Sequence, residues 1–257
     1  MRARHVMLTM GLMVSFLGNA GASPITVTVQ DSRPVARAIE ELETRYGWRT
    51  TYEDPPYSHY SDITDVTNTD WPGTTVQSPS QLQSLQGNKR TLVPKGGSLS
   101  FTLPSADPDE LGAVQALVKS YNASRGGNIF AVVQGVGLLH VVPRQMMGPS
   151  GTLEPVEPIL DTVITIKPRE RTAYALIEEI CKKISIATNT KVDMGTVPTN
   201  MLIQTKTSIG GSGKSARSIL EQLIVETGTR LSLSWELFYG VYDKEYALNI
   251  SWVAPVN

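Results

Sequence analysis

Residues 171–184 read RTAYALIEEICKKI, and their apolar side chains recur every three or four positions, the spacing of one helical face. Residues 33–47, RPVARAIEELETRYG, superpose on this stretch without a gap. Arg33 then falls on Arg171, and residues 39–42 fall on residues 177–180. Such internal similarity indicates a repeated structural unit, so it predicts architecture rather than a reaction.

The elements around the two helices follow in the same order. In the second copy the apolar pattern predicts a strand over 163–166, then a helix, then a strand near 191–193. A further strand, MLIQTKT, is predicted from Met201, followed by a helix from Lys214 and two strands with alternating apolar and polar residues. The first copy begins with an alternating strand at Ile25. We therefore predict an α+β fold of two tandem β-α-β-β-α-β-β modules, each a mostly antiparallel sheet with two helices on one face.

Breaks in periodicity set the expected boundaries. The first module covers residues 23–143, with a long insertion at 53–97 that is rich in Asp, Pro, Ser and Thr. Residues 144–158 hold several proline and glycine breaks and are interpreted as a linker, and residues 159–257 form the second module. The insertion is longer than most structureless loops, and short strands are expected within it, for example at 62–67 or 90–93.

Residues 1–22 have the layout of a secretory signal peptide. Arg2, Arg4 and His5 form a basic start, residues 6–17 an apolar stretch too short to span a bilayer, and residues 20–22 a cleavage site of small side chains. We expect cleavage after Ala22 and a periplasmic or secreted product, without a later transmembrane segment. An uncleaved anchor is the less favoured alternative.

Charge and cysteine content narrow the possible functions. A net charge of −1 argues against nucleic acid as a partner. The single cysteine, Cys181, cannot form an internal disulfide, and it lies on the apolar face of its helix. We predict a buried, inert thiol. His140 lies on an apolar strand and is predicted to be packed and hydrogen-bonded rather than catalytic.

The insertion carries the candidate contact residues. Its aromatic and acidic side chains give three alternatives: aromatic packing with solvated acids, a platform for a glycan or peptide, and a carboxylate cation site. The third is weakest because the spacing matches no calcium loop. The possible ligand or partner contacts are Tyr57, His59, Tyr60, Asp62, Asp65 and Trp71.

The sequence contains only weak motifs for catalysis or for binding a cofactor. Residues 210–215, GGSGKS, suggest a phosphate loop, but the required first glycine is replaced by Ser208, and a glycine-rich turn with Ser212 as helix cap explains them as well. No hydrolase elbow, zinc-protease pair or paired-cysteine spacing is present in the sequence. We predict no catalytic residue, no cofactor and no metal site.

A family resemblance follows from residues 33–52 and from residues 212–233, where a helix ending in Thr-Gly leads into a strand hairpin. Both segments resemble the short N-terminal periplasmic domain of secretins and TonB-dependent receptors, here in two degenerate copies. The resemblance implies small α+β modules that dock onto partner proteins and carry no catalytic residues. The long insertion and the absence of a secretin or receptor barrel depart from that pattern.

The sequence is compatible with three functional hypotheses. The leading hypothesis is a non-enzymatic adaptor that binds an envelope protein through residues 57–71 and an exposed strand edge. The second is a periplasmic binding protein for a glycan or peptide that uses Tyr57, Tyr60 and Trp71. The third is a hydrolase in which His59 and neighbouring carboxylates transfer protons.

Overall fold

The computed structural model describes residues 23–67, 91–105, 107–124, 127–227 and 232–254 and confirms the α+β class. Five α-helices lie in these ranges: α1 Pro34–Tyr46, α2 Glu110–Ser124, α3 Ala173–Thr188, α4 Thr199–Gln204 and α5 Ala216–Thr227. Two 3-10 turns occupy Tyr60–Asp62 and Ile159–Asp161. Of these helices, none combines the length with the apolar character that a membrane crossing requires.

Local sequence explains the ends of α1. Pro34 occupies its first position, where a missing N–H costs nothing, and Val35, Ile39 and Leu42 form its buried stripe. Gly47 ends the helix in the left-handed conformation, with φ 69°, and its N–H donates to the Glu43 carbonyl. The helix predicted within residues 33–47 is confirmed.

Fifteen strands lie in the described ranges. In the first half they are β1 Ile25–Asp31, β2 Thr50–Glu53, β3 Ile63–Asp65, β4 Leu92–Pro94, β5 Gly97–Leu103, β6 Ile129–Gln134 and β7 Leu139–Met147. β8, Leu153–Pro155, connects to the second half, which contains β9 Val163–Ile166, β10 Arg171–Thr172, β11 Val192–Met194, β12 Lys206–Thr207, β13 Gly211–Ser215, β14 Leu233–Gly240 and β15 Glu245–Trp252.

One mixed central sheet joins the two halves. Its order is β11-β15-β14-β2-β7-β6, and β8 pairs with β7. β14 and β2 are parallel neighbours, with Glu236 opposite Tyr52 and Leu237 opposite Glu53. The prediction of a separate sheet in each module is wrong, because strands of both halves pair in this one sheet. Pairing between strands so far apart in the chain leaves no local sequence pattern.

The halves nevertheless pair their strands alike. β2 lies parallel to β7, the second strand of the β6–β7 hairpin, and β11 lies parallel to β15, the second strand of the β14–β15 hairpin. β1 pairs with β5 as β9 pairs with β13, both antiparallel. The tandem repeat stays a prediction, and this common pairing pattern is consistent with it.

Two apolar clusters form the core, one in each half. The first packs α1 and α2 against β1, β5 and β7, and the second packs α3 and α5 against β9, β14 and β15. Cys181 lies in the second cluster at 3% exposure, as predicted, and burial raises the pKa of its thiol to about 12. An inert, protonated thiol follows.

Several local predictions differ from the structure. The run from Met201 was predicted as a strand, but it lies in α4, followed by the two-residue β12. Residues 211–215 form β13 rather than a turn, and the Oγ of Ser215, not Ser212, accepts the Ser218 N–H at 3.2 Å before α5. A short apolar run fits either a helix or a strand, and pairing with β9 extends the glycine-rich segment.

The boundary segments are also ordered. The interpreted linker, residues 144–158, contains the end of β7 and all of β8, which pair antiparallel. The short strands expected at 62–67 and 90–93 are present as β3 and β4. The predicted signal peptide, residues 1–22, lies outside the described residues.

Candidate functional site

The predicted contact residues do not form one cluster. Tyr57 and Asp62 line a common cavity, whereas His59 and Tyr60 stack on each other with ring centroids 4.3 Å apart. Tyr60 is 82% exposed, the most open large apolar side chain in the described ranges. The Nδ1 of His59 accepts the Ser61 N–H at 3.2 Å, and no carboxylate in the described ranges hydrogen-bonds to His59.

The other two predicted contacts lie elsewhere. Asp65 is exposed at the end of β3, where its Oδ1 accepts the Thr67 N–H at 3.0 Å in a local turn. This arrangement stabilises the backbone of the turn. Trp71 lies outside the described residues.

Tyr57 points inward rather than forming an exposed platform. Its hydroxyl donates to Asp54 Oδ1 at 2.9 Å, and its ring lies 6.4 Å from that of Tyr239. Burial, and then the Asp54 charge, raise the pKa of Tyr57 well above its usual range. The hydroxyl therefore stays protonated and acts as a fixed donor.

Asp54 fixes the junction between the halves. It is fully buried, and its two oxygens accept four hydrogen bonds at 2.6–2.9 Å. The donors are the Arg33 guanidinium, the Tyr52 and Tyr57 hydroxyls and the backbone N–H of Tyr239. The Asp54 N–H donates to Leu237 O, and Arg33 donates to Tyr239 O. A buried carboxylate satisfied in this way rigidifies its surroundings.

Glu53, the preceding residue, makes a second polar junction. Its Oε2 accepts from Arg217 Nη2 at 2.6 Å, and Arg217 Nε donates to Asp161 at 2.7 Å. The Leu160 N–H donates to the other Glu53 oxygen at 3.3 Å. Glu53 is 1% exposed, so its charge depends on Arg217 from α5.

These two carboxylates hold the structure together, and the sequence did not predict that role. Residues 53 and 54 were placed at the start of the insertion, for which solvated acids were one of three alternatives. One signal was available: Arg217 lies on the apolar stripe of α5, together with Leu220 and Ile224. Because arginine is rarely buried without a partner, that position implied a buried carboxylate, although not which one.

A third polar link crosses the junction at His140. Its Nδ1 lies 2.6 Å from Thr51 Oγ1 and its Nε2 lies 2.5 Å from Glu221 Oε1, while Trp235 stacks on its ring. The order of groups resembles that of a nucleophile, a base and an acid. Thr51 and His140 are both wholly buried, however, and no substrate reaches the hydroxyl. The prediction of a packed, hydrogen-bonded His140 is confirmed.

Two carboxylates with raised pKa values lie near the joint between the halves, Glu43 on α1, which hydrogen-bonds Ser234 of β14, and Glu236 on β14. Burial raises the pKa of Glu43 to about 7 and that of Glu236 to about 8. For Glu236, the nearby charges of Glu40, Glu43 and Asp54 add to the shift and Arg33 opposes it. These groups bind protons near neutral pH and make the junction sensitive to pH.

A polar cavity of about 260 Å³ adjoins the Asp54 junction. Its walls come from the first turn of α1, the turn at 60–62, the β4–β5 connection and the residues before β6. Asp62 Oδ2 is buried and has no hydrogen-bond partner in the described part of the chain. The polar lining residues are Ser32, Arg33, Tyr57, Asp62, Lys95 and Asn128.

The outer edge of the central sheet in the first half is β6. The Asn122 side chain bonds both the N–H and the C=O of Phe130, so these backbone groups face away from β7. By alternation along the strand, the backbone groups of Val132 and Gln134 face outward as well. Beside them, a groove of about 510 Å³ runs between Val132 and the α2 residues Val118, Asn122 and Ala123.

Comparisons with known proteins identify no relative: no protein-family model, no curated protein and no solved structure matches the chain. Within the described ranges, no group of three or more His, Cys, Asp or Glu side chains is arranged to hold a metal ion.

Proposed function

We propose that the chain is an exported, non-enzymatic interaction module that binds an extended segment of an envelope protein along β6. The observation that carries the proposal is the outward-facing backbone of Val132 and Gln134 at the edge of the central sheet. In the described ranges no strand pairs with β6 on that side. An edge of this kind accepts a partner strand through main-chain hydrogen bonds.

The groove beside β6 supplies side-chain specificity. An incoming strand alternates its side chains, so every second one faces the groove between β6 and α2. Val118, Ala123 and Val132 offer apolar contact there, and Lys119 offers a positive charge. We therefore expect a partner segment with apolar residues at alternate positions and an acidic residue opposite Lys119.

The His59–Tyr60 stack is the second proposed contact surface. Tyr60 presents an exposed aromatic ring, the kind of residue enriched at interfaces. The export signal at 1–22 and the periplasmic or secreted location belong to the same proposal, as does the resemblance to periplasmic docking domains.

The test is capture from a periplasmic extract by three forms of the protein. Val132→Pro removes the outward N–H without touching the β7 ladder, and Val132→Thr is the matched control that keeps the N–H. We expect the wild type and Val132→Thr to retain the same partner and Val132→Pro to lose it. Equal capture by all three would exclude the β6 edge.

Tyr60→Ala separates the two proposed surfaces. If β6 is the main contact, Tyr60→Ala weakens capture without abolishing it. Loss of capture in Tyr60→Ala with full capture by Val132→Pro would move the interface to the His59–Tyr60 stack.

A further inference from the structure

The two outer strands of the central sheet are the counterparts of the two strands that pair in its middle. β14 and β6 are the first strands of equivalent hairpins, and β2 and β11 lie parallel to the second strands of those hairpins. β14 pairs with β2, whereas in the described ranges β6 and β11 each have one open side. We propose that β6 of one copy of the chain pairs with β11 of a second copy and so repeats the β2–β14 joint between molecules.

The partner in this inference is the chain itself, and the inference rests on the proposed function because it uses the same β6 edge. The joint within the chain is the template for the contact. It is parallel and short, with two residue pairs in register, Glu236 opposite Tyr52 and Leu237 opposite Glu53. β11 has three residues, Val192–Met194, and is therefore long enough to repeat it.

The backbone of β11 is oriented for such a contact. The Lys191 C=O and the Gly195 N–H both bond to β15, at 2.8 Å and 2.9 Å. By alternation along the strand, the backbone groups of Val192 and Met194 face away from β15. The outer side of β11 is thus directed as the outer side of β6 is.

A side chain covers one outward residue on each strand. Ser185 Oγ accepts the Val192 N–H at 2.9 Å, and Asn122 covers β6 in the same way. The next outward residue along each strand, Met194 on β11 and Val132 on β6, is left to a partner. In the register of the joint, the Val132 N–H of one copy donates to the Met194 C=O of the next.

The side chains of β11 also fit the groove beside β6. The residues on either side of Asp193 pack against the core of their own half, so its carboxylate points to the opposite face of the strand, where it is exposed. In the joint, Glu53 of β2 points in the same way to a helix of the other half and accepts from Arg217 at 2.6 Å. Asp193 of the second copy reaches Lys119, which lines the groove.

This change of partner leaves both lysines paired. Within one chain Asp193 lies 2.8 Å from Lys191, which also lies 2.6 Å from Glu245. Exposed ion pairs contribute little to stability, so exchanging one of them costs little. Lys191 keeps Glu245 when Asp193 turns to Lys119.

The contact between copies should be reversible and open-ended. In the register of β2 and β11 with their hairpins, Thr196 takes the place of Asp54, so no buried carboxylate reinforces the contact. A contact between two different edges leaves a free β6 at one end of the assembly and a free β11 at the other. Copies therefore add head to tail, and their association depends on concentration.

The experiment is sedimentation velocity of the purified chain over a wide range of concentration. We expect the sedimentation coefficient to rise continuously, without stopping at a dimer. Val132→Pro blocks β6 and Met194→Pro blocks β11, and each removes an outward N–H without touching the ladder to its neighbour, so each variant alone should stay monomeric. Val132→Thr and Met194→Leu keep the N–H and should associate as the wild type does.

Mixing the two proline variants is the decisive test. Val132→Pro retains an intact β11 and Met194→Pro an intact β6, so the mixture should form a dimer and nothing larger. Formation of that dimer also shows that both variants are folded. A wild type that stays monomeric or stops at a dimer, proline variants that associate as the wild type does, or a mixture that stays monomeric would overturn the proposal.

Charge reversal tests the side-chain contact. Asp193→Lys should weaken association at least tenfold, because like charges repel across an interface, and adding Lys119→Asp in the same chain should restore it. Glu157→Lys, an exposed charge reversal after β8, is the matched control and should associate as the wild type does. A double variant as weak as Asp193→Lys alone would contradict the placement of β11 against the groove.

The same variants separate this inference from the proposed function. Met194→Pro leaves β6 open, so it should capture the envelope partner from extract as the wild type does. Capture by a wild type that stays monomeric would remove self-association and leave the proposed function standing. Self-association without capture of another protein would do the reverse.

Discussion

The hairpins β14–β15 and β6–β7 occupy equivalent places in the two halves, yet their outer strands are used differently. The edge of β14 is covered by β2. The Asp54 carboxylate, just after β2, accepts a hydrogen bond from the Tyr239 N–H, and the Asp54 backbone N–H donates to the Leu237 carbonyl. Within the described ranges, the edge of β6 is covered only at Phe130, by the Asn122 side chain. The difference teaches that a buried carboxylate directly after the covering strand adds side-chain hydrogen bonds to a paired edge, and β6 has no such neighbour in the described ranges.

The largest expected effect comes from breaking the joint at Asp54. Asp54→Asn keeps the shape but leaves the Arg33 charge without its counterion, and we expect a loss of about 3 kcal/mol or more in the free energy of unfolding. Urea denaturation measures it. Glu178→Gln, on the exposed face of α3, is the control and should change stability by less than about 0.5 kcal/mol. A similar small change for both variants would show that Asp54 does not hold the joint.

Gly135→Ala tests the His140 link. A Cβ at residue 135 would lie 2.1 Å from Glu221 Oε1 and 2.3 Å from His140 Nε2, so the pair must separate. We expect a loss of about 1–3 kcal/mol, because overpacking a buried site forces side chains from their positions. Gly127→Ala, whose nearest contact would be an ordinary 3.6 Å, serves as the control. Thermal denaturation of both variants gives the comparison.

The acids between α1 and β14 predict a pH dependence that the β6 edge does not share. Folding raises the pKa of Glu43 to about 7 and of Glu236 to about 8, from an ordinary value near 4.5. Their stabilising contribution is therefore complete below about pH 4.5 and is lost as the pH rises towards 8. We expect a decrease on the order of 1 kcal/mol between pH 5 and pH 8.

Glu236→Gln should flatten that profile and raise stability at pH 8. Glu178→Gln, on the exposed face of α3, should leave the profile unchanged. Urea midpoints at pH 5, 6.5 and 8 measure the effect. A wild-type midpoint that rises with pH would contradict the assignment of these two groups.

The smallest expected effect is on the open edge. Val132→Pro removes only an outward N–H, so we expect a loss of less than about 1 kcal/mol, the range of uncritical substitutions. Leu237→Pro, on the covered strand, should cost about 3 kcal/mol or more because proline removes a ladder donor there. Equal losses for the two variants would mean that β6 and β14 are not used differently. Circular dichroism with urea titration compares them.

Helices and strands whose apolar residues recur at a regular spacing were predictable from the sequence. Contacts between residues far apart in the chain were not. The stripes of α1 and α3, the end of α1 at Gly47 and the buried Cys181 all follow from local spacing. α4 was mistaken for a strand because its apolar run is too short to fix a period. Of the candidate contacts, Tyr57 and Asp62 do share a cavity. The roles of Glu53 and Asp54 depend on Arg217 and Tyr239, far along the chain, and no local pattern reports such a pairing.

The β2–β14 joint also has a kinetic consequence. The hydrogen bond from Tyr239 to Asp54 spans 185 residues of chain, and that from Arg217 to Glu53 spans 164. Contacts between residues so distant form late, because closing a long loop costs entropy before any contact compensates it. During synthesis β2 is made long before β14, so Glu53 and Asp54 have no bonding partners until the second half of the chain has been made. The two halves should therefore complete folding together, slowly and in one cooperative step.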